Sequence, residues 1–142
     1  MLLNTKYRNR DFKERCRQVV VDEMLTGYIP SVRRVAVLTV FGSAPGFYVD
    51  YQHTYNALCK RAKAAKAGVE VAGSYGLCEE RMREIEKRVA ALMAEKGWSR
   101  ARALTEVINN GRAPRFYMTV RDAMNLVREN FPQLPVRPQK RV

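Results

Sequence analysis

Residues Gly42-Ser-Ala-Pro-Gly-Phe-Tyr-Val-Asp50 and Gly111-Arg-Ala-Pro-Arg-Phe-Tyr-Met-Thr119 state one phrase twice, 69 residues apart. Across 42–58 against 111–127, six of seventeen positions are identical without a gap. The same register carries Arg33 onto Arg102, Val20 onto Val89, Met24 onto Met93, Asn56 onto Asn125 and Leu58 onto Val127. Self-similarity of this kind is weighed before single elements, because a repeated unit decides the fold. It predicts two small, similar units within 142 residues.

The register also resolves an ambiguity just before the first phrase. Residues 35–41 (Val-Ala-Val-Leu-Thr-Val-Phe) are continuously apolar and β-branched, and alone fit a buried strand. Their counterpart, 100–108, is rich in helix formers, with Leu104, Val107 and Ile108 on one face. Equivalent segments share a type, so both are predicted helical. Gly42 and Gly111 then stand where a helix C-terminus favours a left-handed residue. The Ala-Pro pairs that follow favour extended backbone, and Asp50 and Thr119 are placed to cap a third helix in each unit.

Upstream, Phe12, Cys16, Val19, Val20 and Met24 recur at helical spacing from Asp11 to a stop at Gly27. Met82, Ile85, Val89 and Leu92 do so within 78–96. The expected fold is all-α, a tandem of two three-helix units, each with a short extended Ala-Pro-x-Phe-Tyr segment before its third helix. The units are placed at 11–67 and 78–130, joined by a glycine-rich linker at 68–77. Residues 1–10 read as a flexible basic arm, and 131–142, with three prolines, as a disordered basic tail.

Charge says most about partners. Twenty-six Lys and Arg stand against 14 Asp and Glu, a net +12. Residues 1–71 carry 12 basic and 6 acidic side chains and 72–142 carry 14 and 8, so each half is +6. Such a footprint favours a polyanion. No apolar run reaches the roughly 18 residues of a membrane span, and the N-terminus lacks the apolar core of a signal peptide. A cytoplasmic protein without membrane attachment is expected.

The connection between the first two helices of the second unit is a turn of a few residues, Gly97-Trp98-Ser99. This pattern resembles the helix-turn-helix of DNA-binding domains in general, over about 30 residues per unit. The resemblance implies that the second helix enters the major groove and offers its N-terminal residues to base edges. Those residues are Ser99, Arg100 and Arg102 in the second unit and Ser31, Arg33 and Arg34 in the first. Arginine suits bidentate contact with guanine. Arg112 and Arg115 bracket Pro114 and, with Tyr48 and Tyr117, are candidates for phosphate contact. Phe47 and Phe116 read as core plugs. The first helix of the second unit departs from the compact motif by being long and strongly charged.

Other chemistries find little footing. A single histidine, His53, and three scattered cysteines, Cys16, Cys59 and Cys78, offer neither a catalytic triad nor four clustered zinc ligands. Phosphate-binding glycine loops do not occur. The expectation is a non-enzymatic, cofactor-free and metal-free protein that binds DNA in a regulatory or architectural role, such as transcription regulation. RNA binding, a protein partner bridged by the two units, or a second copy of the chain are the alternatives.

Overall fold

The computed structural model describes residues 3–68, 76–137 and 139–140. In chain order the elements are α1 (Leu3–Met24), β1 (Tyr28–Ile29), α2 (Val32–Val40), α3 (Tyr51–Ala67), α4 (Gly76–Lys96), α5 (Arg100–Asn110), α6 (Val120–Asn130) and β2 (Gln139–Lys140). The protein is mostly helical, as the periodicity predicts, and 35–41 is indeed helix and its C-cap rather than strand. The reason is visible in its burial. Val32, Val35, Ala36, Thr39 and Val40 recur at helical steps and are all buried. Ser31 starts the helix by accepting a 3.2 Å hydrogen bond from the Arg34 N–H.

The chain forms two compact units, and their composition differs from the division read off the sequence. One unit comprises residues 1–45 with 113–142, the other residues 46–112. In unit 1, α6 packs on α1 and α2; in unit 2, α3 and α4 each pack on α5. Each helix pair is therefore closed by the third helix of the other half. Ala44 and Ala113, the matching alanines of the two phrases, form an antiparallel bridge, each N–H donating to the other's carbonyl at 2.9 Å.

Phe12, Cys16, Val35, Val40, Phe116, Ala123 and Val127 form the centre of unit 1. Phe116 meets Phe12 edge to face, with centroids 5.4 Å apart and planes at 85°. Its N–H donates to Val40 O at 2.9 Å. Thr39 is buried beside them, its hydroxyl donating to Val35 O at 2.7 Å while the Cys16 thiol donates to it at 3.5 Å. Burial pushes that thiol up to about 11, opposed in part by the bond to Thr39, so it stays protonated at neutral pH.

Two expectations at the chain ends are corrected. Residues 3–10 continue α1 rather than forming a loose arm. No glycine or proline separates them from the buried Phe12 and Cys16, so a helix anchored there extends back at low cost. The Pro-rich tail is likewise tied down in its described part. Pro135 O accepts from the Val32 N–H at 3.0 Å, and β2 pairs antiparallel with β1, Tyr28 opposite Lys140 and Ile29 opposite Gln139. The proposed linker lies mostly outside the described residues.

Unit 2 is built on Phe47, Leu58, Ile85, Val89, Ala103, Leu104 and Val107. Asp50 caps α3 by accepting from the His53 N–H at 2.8 Å, and Gly68, at φ +68°, ends it. Arg61 of α3 reaches α4 and bonds Glu79 at 2.8 Å and Glu86 at 3.0 Å.

Gly111 is not the left-handed cap expected of it, since its φ is −84°, and Gly42 also lacks a positive φ. Close approach explains the residue instead. A Cβ on Gly111 would fall against the Val107 carbonyl oxygen, whereas one on Gly42 would stand 3.2 Å from Leu38 O. Gly111→Ala should therefore cost about 1–3 kcal/mol of stability and Gly42→Ala under about 1, as read from urea unfolding midpoints. Equal losses would refute the steric account.

Candidate nucleic-acid interface

The candidate residues divide between the units. Ser31, Arg33, Arg34, Arg115 and Tyr117 belong to unit 1; Tyr48, Ser99, Arg100, Arg102 and Arg112 belong to unit 2. Arg112 and Arg115 bracket one proline, yet the boundary between the units passes between them.

In unit 1 the serine is buried and its hydroxyl is engaged as the α2 cap. Arg33 is exposed. Arg34 is exposed too, but its guanidinium donates twice to Glu23, at 2.5 and 3.3 Å. The hydrogen bond and then the charge of Glu23 raise its pKa further. This pair, with Thr26, Tyr28 and Pro30, lines a surface pocket of about 250 Å³. The outward residues nearer the end of α2 are apolar: Leu38 and Phe41 are exposed. Arg115 lies over Phe41, 4.5 Å from the ring centroid, and 5.8 Å from that of the half-buried Tyr117.

In unit 2 three of the candidates, Ser99, Arg100 and Arg102, lie at the start of α5. Ser99 caps α5 through a 3.2 Å bond from the Arg102 N–H and remains exposed. Arg102 is exposed, its guanidinium 4.2 Å from the centroid of Trp98, which stiffens a long side chain. Arg100 is turned elsewhere: half-buried, it donates to the Cys59 sulfur of α3 at 3.5 Å. Arg112 is exposed, and its carbonyl accepts from Arg88. Tyr48 holds a φ of +55°, a costly conformation for a bulky residue.

The outward face of α5 also carries residues that sequence reasoning passed over. Thr105 and Asn109 are exposed at three- and four-residue steps from Arg102, and so share its face. Asn110, also exposed, donates to Glu106 at 3.0 Å. The Asn-Asn-Gly run at 109–111 was legible in the sequence only as a helix end, which hides the outward position of its first asparagine. Arginine, threonine and asparagine are a set that can address base edges, arginine to guanine and asparagine to adenine.

The composition of the units also moves the charge. Unit 1 has 14 basic and 6 acidic residues, 14 − 6 = +8; unit 2 has 12 and 8, 12 − 8 = +4. Among the described residues no helix is long and apolar enough to cross a membrane, and no group of three or more His, Cys, Asp or Glu could hold a metal ion. No family model matches the chain, and no significant match is found among curated proteins or solved structures.

Proposed function

We propose that this chain is a basic nucleic-acid-binding protein of two related helical halves that engages duplex DNA through α5. The observation that carries this reading is the exposed Arg102–Thr105–Asn109 face of a helix entered through a short turn and a serine cap. The net charge of +12 supplies the sequence-independent attraction to phosphate. Matching helix orders, matching caps at Asp50 and Thr119 and the Ala44–Ala113 bridge support descent of the halves from one repeated pattern. A regulatory or architectural role fits such a protein. The outward face of α2, with Leu38 and Phe41 exposed and Arg34 held by Glu23, is less suited to reading bases than that of α5.

Anisotropy of labelled duplex DNA across a salt series tests the reading. Each phosphate neutralised should contribute about −0.9 to the slope of log K against log salt. Arg102→Ala should cut discrimination between preferred and scrambled duplexes by roughly 5- to 150-fold, about 1–3 kcal/mol. Arg33→Ala should weaken all duplexes alike. A flat salt dependence, or no duplex binding at low salt alongside a stoichiometric protein complex, would overturn DNA in favour of an adaptor.

A further inference from the structure

From the cluster of Phe41, Arg115 and Tyr117 in unit 1 we infer a second site, at which the bases of a single-stranded nucleic acid stack. Phe41 closes α2 and keeps 56% of its surface in solvent. Nothing in ending the helix calls for an aromatic ring there, because the matching position 69 residues on is Asn110. Arg115 is likewise peculiar to its own phrase, since Gly46 stands at the matching place. The two residues without a counterpart meet: the guanidinium lies 4.5 Å from the Phe41 centroid and 5.8 Å from that of Tyr117. Its nitrogens also approach main-chain oxygens, Nε at 3.4 Å from Phe116 O and Nη2 at 3.5 Å from Met118 O, which steadies it against the rings.

Two aromatic rings and a guanidinium are the groups on which unpaired bases stack, and the arginine adds charge for the backbone. The surroundings agree. The stretches of unit 1 that carry the cluster, 31–45 and 113–121, contain no acidic residue, and Arg33 of α2 is exposed. Unit 1 carries +8 of the net charge. Charge therefore selects a polyanion, and the exposed ring selects one that offers free base faces, which a paired duplex does not. The site shares no residue with α5 and does not require duplex binding.

The test uses the full chain and three labelled probes: oligo(dT), oligo(rU) and a duplex of the same length, with 2-aminopurine placed centrally in the single strands. Wild type should bind both single strands and change 2-aminopurine emission. A preference between them would say whether DNA or RNA is the natural source. Phe41→Ala should weaken single-strand binding roughly 5- to 150-fold, the effect of losing one stacked base, while Phe41→Tyr retains it and duplex affinity stays within about twofold. Unchanged 2-aminopurine emission on wild-type binding would overturn the site without recourse to any variant. So would single-strand affinity indifferent to Phe41→Ala. Duplex binding without single-strand binding would sink this inference and leave the α5 reading standing; the converse would do the opposite.

Discussion

Phe116→Ala is expected to lower the stability of the protein by about 3–5 kcal/mol, the usual cost of removing a large aromatic from a packed interior. The ring is 1% exposed and stands edge-on to Phe12, a geometry that adds about 0.5–1.5 kcal/mol beyond buried area. Its position matters as much as its size. The backbone at Phe116 is pinned to Val40 O, and the chain turns into α6 a few residues later. Losing the ring removes the plug that seats α6 on α1 and α2. Urea unfolding followed by far-UV circular dichroism should show the loss. An unchanged midpoint would contradict the packing account of Phe116. A double-mutant cycle with Phe12→Leu should return a coupling energy on the order of 1 kcal/mol.

Arg61→Ala is the second large effect. The Arg61 side chain is 14% exposed and bonds two carboxylates, of which Glu79 is 10% exposed. Removing the arginine leaves a nearly buried carboxylate without its main partner, so a loss of about 2–4 kcal/mol is expected, below the full figure for a buried pair because Glu86 keeps access to water. Arg83→Ala, which removes a 72% exposed partner of the same Glu79, should cost under about 1 kcal/mol. The hydrogen bond from Arg61, above all, holds the Glu79 carboxyl below the usual carboxylate range. Its stabilising effect is therefore complete at neutral pH and is lost as pH falls below that range through the lowered pKa. Urea midpoints measured from pH 7 into acid should fall for wild type in that window. The Arg61→Ala curve should be flatter there; parallel curves would show that Glu79 contributes nothing through this pair.

The same network bears on which helix closes which pair. Counted back by 69 residues, Glu79 and Glu86 fall on Arg10 and Arg17 of α1, and Arg61 counted forward falls on Asn130. Packing α3 against α1 in the matching register would set Arg61 against two arginines. Against α4 it finds two glutamates. Like charges are thus avoided by the arrangement seen, and an uncharged side chain stands at the end of α6 where Arg61 would otherwise recur.

Sequence periodicity carried the helices themselves well, because burial of Val35, Ala36 and Val40 on one side is a local property of the chain. Which partners those helices choose is not local. The stripe Val120, Ala123, Met124 and Val127 would close either helix pair, and nothing in its spacing distinguishes them. Gly111 shows a second kind of blindness: a glycine needed for φ and a glycine needed for close approach are the same letter. The site suffered in the same way. Arg34 and Glu23 are 11 residues apart, and Arg100 and Cys59 are 41 apart, so the contacts that engage those arginines within the protein emerge only on folding. Asn109 was hidden by the opposite error, a helix-ending run whose first member still faces outward.

Because residues 46–112 form one unit and residues 1–45 join 113–142 to form the other, synthesis and folding fall out of step. A nascent chain releases α1 and α2 first, yet they must hold Phe12, Val35 and Val40 without a lid until Phe116 and α6 leave the ribosome. The unit in the middle has its whole core by Arg112 and can close earlier. The unit of α1, α2 and α6 is thus finished after the other, which leaves the α1–α2 pair open to aggregation or chaperone capture during translation.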